Sequence, residues 1–357
     1  MKKIGIFIVL LLFITCKKRS PNLVFLSEYV FKDSVLINNT IIGGISGIDF
    51  FEDNYYMVVD DAKSPRVLVG DILIKEDSIN KVIFKKVIKL DSTHQIYKNN
   101  ALDLEGVFAT QNQLHLVSEG SIKKKKDPGF FTVDFEGKFQ EQLQIPEYFK
   151  ATSKAKPKHN ATFESSSKSF DGKGFWVGME GVLEADGEEP TMHKTQSPVR
   201  ITYFDNQTKK ATKQFAYQLE KIDNPAKGNI NLNGVTAILE YTKNNFFVVE
   251  RIYQNGYGSH GNTIRIFKAT IDNSSTNTLK LQSLKKEKYI PLKKELLLDL
   301  KEVENKLTDT IIDNIEGITF GSKLSNGNQS LVLVSDDNFQ IYGKQLNQFL
   351  LLEIEYK

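Results

Sequence analysis

The sequence predicts an all-β protein that folds as a single closed β-propeller. Three observations support this fold class: a strand-pair pattern recurs five times, helical periodicity is nearly absent, and both ends of the chain after its leader read as strands. The chain has 357 residues, 40% of them hydrophobic and 11% aromatic, with 24 Phe and 13 Tyr. Many short strands use residues of this kind, and propellers of this length commonly form one domain.

The first residues are similar to a bacterial lipoprotein leader. Lys2 and Lys3 precede an eleven-residue apolar run, 4–14, which is followed by Cys16. The run is shorter than the about 20 residues that span a bilayer, but it suits the core of a signal peptide. We expect a signal peptide over 1–15, then a lipidated Cys16 with a tether over 16–22. The alternative is an ordinary secretory signal with an incidental cysteine.

These features predict an exported domain over 23–357, held on the bacterial cell envelope by lipid alone and facing the periplasm or the cell surface. More than one acyl chain on Cys16 would give stable anchoring. No other segment is apolar enough to cross a membrane. A net charge of +3 gives no sign of nucleic-acid binding, and we expect a monomer.

The repeats each begin with a short segment containing glycine and continue with an apolar strand that ends in acids. They start near residues 47, 106, 165, 234 and 317, at intervals of 59 to 83 residues. Four strands in about 40–50 residues make one propeller blade. The longer intervals leave room for a sixth blade, so the sequence predicts six blades, with five as the alternative.

Further strands are expected in the spacers between the repeats. The segment Lys293 to Lys306 is the one predicted helix. The apolar runs Leu23 to Val30 and Phe349 to Ile354 are expected to pair within one blade and close the ring, which removes free sheet edges. The spacer strands are expected at Val67–Leu73, Val82–Leu90, Gly129–Phe135, Val199–Phe204 and Thr263–Ala269.

Acidic residues recur in phase with the repeats. The position before the repeat glycine holds Ser46, Glu105, Asn233 and Glu316, with Glu164 beside the equivalent place in the third copy. If the ring closes, the acids recur once per blade and surround one mouth of the central channel. The acids at the ends of the second strands are Asp60, Asp61, Glu119, Glu180, Glu250, Asp336 and Asp337, and Asp103 precedes Glu105.

The negative charge of so many carboxylates at one level needs compensation. Ca²⁺ takes six to eight oxygen ligands and would provide it, as would an internal cation such as Arg251 or Arg66. A third solution is raised pKa values, which would make some of the carboxyls general acids. The simplest alternative is that these are turn residues, because Asp and Asn favour turns for local hydrogen bonding.

Other catalytic and metal motifs are absent from the sequence. One cysteine excludes an intrachain disulfide and a cysteine-based zinc site. The five histidines form no His-x-x-x-His pair. A serine hydrolase elbow, Gly-x-Ser-x-Gly, does not occur.

Several of these motifs together resemble one family, the bacterial phytase-like β-propeller domain, also described as having "esterase-like activity of phytase". The similarity rests on Asp103-Leu104-Glu105-Gly106, on Asn160-Ala161-Thr162-Phe163-Glu164, and on Val249-Glu250-Arg251. It is most specific in the blocks 314–321 and 333–339. It extends over about 40 to 355, nearly the whole chain after the leader.

The resemblance implies a propeller, export, and hydrolysis of phosphate or carboxylic esters, with a small anionic ester as substrate and Ca²⁺ as a possible cofactor. We therefore assign catalytic roles to Glu105, Glu164, Glu316 and Arg251, and substrate binding to Arg66, His159, Asn160 and Asn338. The candidate metal ligands are Asp60, Asp61, Asp103, Glu119, Glu180, Glu250, Asp336 and Asp337.

Two other functions remain open at this stage. The protein could be a non-catalytic surface lipoprotein whose propeller face binds a glycan, a lipid or a protein. It could also be a scaffold in which calcium only stiffens the ring. Turnover of generic ester substrates, with and without a chelator, would separate these functions from hydrolysis.

Overall fold

Five four-stranded sheets make up the fold. The computed structural model describes residues 20–33, 35–91, 93–96 and 100–356, so the predicted leader and Cys16 lie outside the described residues. All strand pairs in these sheets are antiparallel, and each sheet is one propeller blade. The all-β propeller is confirmed, with five blades, the smaller of the two counts that the repeats allow.

The strands follow one another outward from the channel in four of the blades. The described residues begin with β1 (Pro21–Phe31) and a small hairpin of β2 (Leu36–Ile37) and β3 (Thr40–Ile41). Blades 1 and 2 contain β4 (Ile45–Phe51), β5 (Asn54–Val59), β6 (Arg66–Lys75), β7 (Ser78–Lys89), β8 (Leu104–Ala109), β9 (Leu114–Ser118), β10 (Gly129–Val133) and β11 (Phe139–Gln142).

Blades 3 and 4 repeat the same order. They contain β12 (Phe163–Lys168), β13 (Gly174–Met179), β14 (Pro198–Asp205), β15 (Lys210–Gln218), β16 (Asn231–Thr242), β17 (Asn245–Gln254), β18 (Asn262–Thr270) and β19 (Lys293–Asp299). Short 3-10 helices connect some strands, at Ile122–Lys124, Glu147–Phe149, Gly258–His260, Leu300–Lys306, Thr308–Thr310 and Asn338–Gln340. None of the helices among the described residues has the length and apolarity that a membrane span requires.

Blade 5 closes the ring. Its inner strands are β20 (Ile315–Lys323), β21 (Gln329–Ser335) and β22 (Asn347–Tyr356), and its outer strand is the N-terminal β1. The pairing of β1 with β22 runs from Pro21 opposite Tyr356 to Phe31 opposite Asn347. The predicted pairing of the N- and C-terminal strands is therefore confirmed.

Aromatic side chains fill the space between blades. Phe108, Phe130, Phe175 and Phe204 form a buried series in which the Phe130 and Phe175 rings are 4.1 Å apart. Such rings bury large apolar areas and add a favourable stacking term. The abundance of Phe in the sequence thus reflects sheets that are buried on both faces.

The long repeat intervals hold connections rather than a sixth blade. Segments 180–197 and 271–292 pack beside blade 3, where Asp186 accepts hydrogen bonds from Arg200 and from the Leu284 backbone N–H. Arg200 and Asp186 are both fully buried, and the Arg200 guanidinium lies 4.4 Å from the Tyr148 ring centre. This pair fastens both connections to the blade.

The helix predicted over Lys293 to Lys306 is wrong. Its first half is the edge strand β19, which pairs with β18, and its second half is a 3-10 helix from Leu300 to Lys306. Leu298, Leu300 and Val303 are buried. Apolar residues at these spacings fit a helix, but tertiary pairing with the free edge of β18 decides the conformation of the first half.

Candidate functional site

Every innermost strand carries a β-bulge near its start. In each case one residue is skipped in the pairing with the second strand. Bulges re-aim side chains and are common beside active sites. The five skipped residues, which we call the bulge ring, are Ser46, Glu105, Glu164, Thr236 and Glu316.

The bulge corrects the alignment of the fourth repeat. The sequence placed Asn233 in this position, but the skipped residue is Thr236. Ser46 and Thr236 play the same part in their blades: each hydroxyl donates to a backbone carbonyl of the next blade, at Leu104 O (2.5 Å) and Ile315 O (2.8 Å). The two blades without a bulge acid therefore use a hydroxyl to join neighbouring inner strands.

A second ring follows from the same register. On the second strand of each blade, one residue pairs with the residue just before the bulge. These five partners are Val59, Ser118, Met179, Glu250 and Ser335. The residue that follows each partner in the chain is a member of what we call the strand-end ring. This position is acidic in blades 1, 2, 3 and 5 and basic in blade 4. The strand-end ring consists of Asp60, Glu119, Glu180, Arg251 and Asp336.

Arg251 offsets the negative charge on one side of the bulge ring and the strand-end ring. Its guanidinium donates to Glu180 Oε1 at 2.9 Å and also to Glu316 Oε1 and Asn314 Oδ1. Asn314 donates in turn to Glu316 Oε1 at 2.9 Å. Burial alone would lower the pKa of Arg251, but the nearby carboxylates raise it overall.

Three carboxylates gather on the other side. Asp60, Asp103 and Glu105 each offer an oxygen, and these oxygens lie within 4.8 Å of one another. Like charges so close cannot all remain ionised without a partner. Burial, and then hydrogen bonding and repulsion from Asp103, raise the pKa of Asp60 to about 10.

The remaining carboxyls of the two rings are shifted in the same direction. Burial, reinforced by neighbouring carboxylates, raises the pKa of Glu119 to about 9. Burial raises the pKa of Glu180 to about 7 although Arg251 opposes it. Burial also raises the pKa values of Glu105, Glu164 and Asp336 well above their usual range, and that of Glu316 despite Arg251.

We call these eight carboxyl groups and Arg251 the carboxylate mouth. Among the described residues, its acids exceed its one guanidinium by a wide margin. The acids are Asp60, Asp103, Glu105, Glu119, Glu164, Glu180, Glu316 and Asp336.

The donor set of the mouth fits a hard divalent cation. The converging groups are carboxylate oxygens, which are the ligands that Ca²⁺ prefers. Glu119 Oε2 is buried and has no hydrogen-bond partner among the described residues. An orphaned buried carboxylate oxygen beside other acids indicates a missing positive partner.

Three predicted ligands lie next to the mouth but bind elsewhere. Glu250 accepts from Tyr217 Oη (2.7 Å) and pairs with Lys294. Asp61 pairs with Arg66 at 2.8 Å, and Asp337 accepts from the Gly44 N–H at 2.7 Å. The structure does not bring these carboxylates into the mouth. Each is the chain neighbour of a strand-end residue and is held by other partners.

The predicted substrate-binding residues are spread around the upper face, by which we mean the face where the inner strands begin. Arg66 is 3% exposed, pairs with Asp61 and lies 5.7 Å from the Phe339 ring centre. The Asn338 backbone N–H donates to Asp336 Oδ1 at 2.7 Å, which ties the loop to the mouth. Asn160 is exposed, with a φ of 50°.

His159 lies at the rim among charges that the sequence did not connect with it. Burial and the positive charges of Lys123 and Lys124 lower its pKa, while Asp103 acts in the opposite direction. Lys123 to Lys126 belong to the β9–β10 connection, which begins directly after Glu119. Basic side chains thus lie beside an acidic mouth.

The channel narrows sharply below the mouth. A cavity of about 10 Å³ is lined by Gly47, Gly106 and Gly317 together with Glu105 and Glu316. A Cβ atom on Gly47 would lie 2.8 Å from the Glu105 carbonyl oxygen, so this glycine lets two inner strands approach closely. We call this cavity the waist; it has room for about one water molecule.

Two larger spaces lie away from the carboxylates. A cavity of about 230 Å³ occupies the lower end of the channel, where the inner strands end. An open cleft of about 660 Å³ lies between the β16–β17 turn and the residues after β18. The cleft contains no group of the mouth, so its size does not make it the candidate site.

The fold and the mouth define the class of the molecule: a five-bladed propeller with an acid-rich mouth on its upper face. The chain belongs to the phytase-like family described as "esterase-like activity of phytase", whose model matches residues 40–339. No curated protein sequence matches the chain.

Solved structures show only distant likeness to this chain. The catalytic domain of the Coprinopsis cinerea GH62 α-L-arabinofuranosidase is 9% identical over 93% of this chain and 97% of its own, with a TM-score of 0.46. The Bacillus licheniformis GH43 endo-arabinanase is 12% identical over 88% and 94%, with a TM-score of 0.39. The Malassezia sympodialis allergen Mala s 1 is 9% identical over 87% and 93%, with a TM-score of 0.41. At these values none of them bears on activity.

Proposed function

We propose that the protein is a hydrolase of phosphate or other esters that works with a divalent cation, Ca²⁺ being the candidate, at the carboxylate mouth. The surplus of buried acids over Arg251 carries this proposal, because a bound cation would neutralise it. The family description supports ester hydrolysis as the reaction. The rim lysines favour an anionic ester, since positive charge at an entrance attracts such substrates.

Asp60, Asp103 and Glu105 would hold the cation, with Glu119 as a further oxygen donor. When bound, such a cation polarises the ester oxygen and lowers the pKa of water. Arg251 acts as a positioning residue, because it holds Glu180 and Glu316 on the opposite side.

Glu164 is the best placed general acid. It is buried and near Glu180, Glu316 and Glu119, and its raised pKa favours the protonated form. A carboxyl in that state can donate a proton to the leaving oxygen of an ester. His159, whose pKa is lowered, would be neutral at the rim and free to accept a proton.

The test is turnover of p-nitrophenyl phosphate and p-nitrophenyl acetate with Ca²⁺, after EDTA, and after Ca²⁺ is restored. We expect chelation to abolish turnover and calcium to restore it. Glu164→Gln should lose turnover but keep the calcium-induced rise in Tm, whereas Asp103→Asn should reduce both. Glu184→Gln, at an exposed pair with Lys156, is the matched control. A folded protein that turns over neither ester with Ca²⁺ would rule out catalysis on such esters.

A second function is favoured by one observation. Exposed apolar side chains lie on upper-face segments: Leu36 and Ile41 on the β2–β3 hairpin, and Ile341 and Tyr342 in the β21–β22 connection, with Tyr342 76% exposed. Such side chains suit a glycan or protein partner. A calcium-induced rise in Tm without turnover, together with glycan or protein binding that Tyr342→Ala abolishes, would favour this function.

The anchor is a separate proposal. We expect Cys16 to be acylated and the domain to remain at the cell envelope. Metabolic labelling with a palmitate analogue should mark the wild-type protein and not Cys16→Ser. Label and membrane retention in the Cys16→Ser protein would refute acylation at this residue.

A further inference from the structure

The lower end of the channel is a second cavity, which we call the vestibule. It measures about 230 Å³ and is lined by residues of all five inner strands, together with Phe170 in the turn after β12. Cavities of about 150 Å³ already hold benzene. The vestibule therefore has room for a small organic molecule, and nothing proposed for the carboxylate mouth uses it.

The ionised groups of the vestibule wall do not balance. Its acids are Asp49 and Glu240, which are 7% and 5% exposed, and its one base among the described residues is Lys168. Lys168 Nζ lies 2.9 Å from Asp49 Oδ2 and 5.2 Å from the Phe51 ring centre, so its charge is directed towards blade 1. One negative charge is left over, on the blade 4 side of the wall.

Glu240 carries this charge. Its carboxylate accepts from the Phe170 N–H at 2.7 Å, the Asn244 N–H at 2.7 Å and Trp176 Nε1 at 2.9 Å. These donors stabilise the ionised form, but all three are neutral, and within the described part of the chain no basic side chain forms an ion pair with Glu240. Buried charges are normally paired with an opposite charge. The wall therefore lacks one positive partner.

Aromatic rings border the same space. Phe50, Phe170 and Phe320 line the vestibule from blades 1, 3 and 5, and each keeps part of its surface exposed, 60% in the case of Phe170. The face of an aromatic ring attracts cations, and quaternary ammonium groups are recognised in this way. A metal ion would need several oxygen ligands, whereas a single free carboxylate among phenylalanines suits an organic cation.

We propose that the vestibule binds a small organic cation, a quaternary or tertiary ammonium ion, whose charge lies between the Glu240 carboxylate and the three phenylalanine rings. Methyl groups on the nitrogen match the apolar part of the wall, which includes Leu239. The waist, at about 10 Å³, separates this site from the carboxylate mouth. Binding is therefore independent of the cation at the mouth and of ester hydrolysis.

Choline and 3,3-dimethylbutan-1-ol are matched probes, because the alcohol has the shape of choline with a neutral carbon in place of the nitrogen. Calorimetric titration of the whole protein in EDTA should give saturable 1:1 binding of choline, with the alcohol about ten-fold weaker. Glu240→Gln should weaken choline about ten-fold, close to the affinity for the alcohol. Glu184→Gln, which changes an exposed acid paired with Lys156, is the control and should leave choline binding unchanged.

Phe170→Leu tests the aromatic contact separately. The variant keeps an apolar side chain at a largely exposed position, so it should fold normally. Choline should bind about three-fold more weakly because the cation–π attraction is lost, and the alcohol should change less. This variant also keeps the proposal testable if Glu240→Gln, which removes an acceptor from buried N–H groups, is shown by its unfolding curve to be misfolded.

The same titrations can overturn the proposal. Absence of saturable choline binding to folded wild-type protein would exclude the site, and equal affinity for choline and the alcohol would show that charge is not recognised. Unchanged choline binding in folded Glu240→Gln or in Phe170→Leu would place the ligand elsewhere. Phosphatidylcholine vesicles present the same group on a surface and should not displace choline from the channel; displacement would show that a lipid headgroup, and not a free cation, is the ligand.

Discussion

Arg200, which is fully buried, and Arg251, which is partly buried, both contact carboxylates, but the balance of charge around them differs. Arg200 meets one acid, Asp186, through two hydrogen bonds of 2.6 and 2.7 Å, and its remaining donors reach Gln214 Oε1 and Leu281 O. Arg251 meets Glu180 and Glu316 directly and lies in a group of eight carboxyls.

The difference is between a charge-balanced pair and an arginine that is outnumbered by acids. Around Arg200 the charge is balanced and the polar atoms are paired, so nothing from solvent is needed. Around Arg251 the acids outnumber the cation, and protons or a metal ion must supply the rest. Buried polar groups therefore balance one another's charge in one place and leave a surplus of negative charge in another.

The largest expected effect breaks the balanced pair. Arg200→Met leaves Asp186 buried without its partner, and such losses cost about 3–5 kcal/mol. Urea unfolding should show this cost, and adding Asp186→Leu should recover part of it. Because the pair lies outside the mouth, the calcium-induced rise in Tm should remain. A cost far below this range would mean that the pair is not needed to hold the connections.

The second prediction concerns pH. Glu180 and Glu119 bind protons more tightly in the folded state than in the unfolded state, because burial raises their pKa values to about 7 and about 9. Their contribution to stability is therefore complete below the unfolded pKa of 4.5, declines as the pH rises above it, and is lost by about pH 7 for Glu180 and about pH 9 for Glu119. In EDTA we expect a loss of roughly 2–3 kcal/mol over this range.

Calcium should suppress this loss, because it replaces the protons that the carboxyls give up. Unfolding curves at pH 5, 7 and 9, with EDTA and with Ca²⁺, will measure the effect. Stability that rises with pH in EDTA would contradict the surplus of acid at the mouth.

Removing Arg251 should cost less than removing Arg200. Arg251→Met deprives Glu180 and Glu316 of their partner, but these acids can take up protons, so we expect about 2 kcal/mol at pH 8 in EDTA and less at pH 5. Since the negative charge of the mouth increases, half-maximal stabilisation should need less calcium. An equal cost at both pH values would show that Arg251 stabilises in the same manner as Arg200.

The smallest effect on stability is expected at Asp103. Asp103→Asn removes one of three converging carboxylates, so repulsion falls and the protein in EDTA at pH 8 should gain about 0.5–2 kcal/mol. The calcium-induced rise in Tm should shrink, because a candidate ligand is lost. Asp171→Asn, an acid in the exposed β12–β13 turn, is the control for a simple change in net charge. A calcium response equal to that of the wild type would exclude Asp103 as a ligand.

Much of this architecture could be predicted from the sequence. The repeat spacing indicates the blades. Glu105 and Glu316 each precede a repeat glycine and occupy matching bulges, and Glu164 occupies the same bulge although Ser165 replaces the glycine. The closing pair of strands was also predictable, since both apolar runs needed a partner.

The side to which each acid points could not be predicted from repeat position alone. Glu250 and Arg251 are adjacent in β17, and neighbouring side chains in a strand face opposite sides. Only Arg251 can therefore reach the mouth, while Glu250 meets Lys294. Applying this rule to the sequence would have excluded Glu250.

Other members of the site depend on contacts that are distant in sequence. Asn314 binds Arg251 across 63 positions, and no local pattern indicates this contact. The lysines near His159 come from another blade connection. These contacts form only when the ring closes. A single sequence does not show which residues of different blades then lie side by side.

The closing strand also sets the order in which the domain can mature. Among the described residues, β1 is the first strand in the chain, yet β22, the strand with which it pairs, is the last. Until β22 is made, β1 stays an unpaired apolar segment and blade 5 lacks its outer strand. The ring therefore cannot close until β22 has been made, about 325 residues after β1.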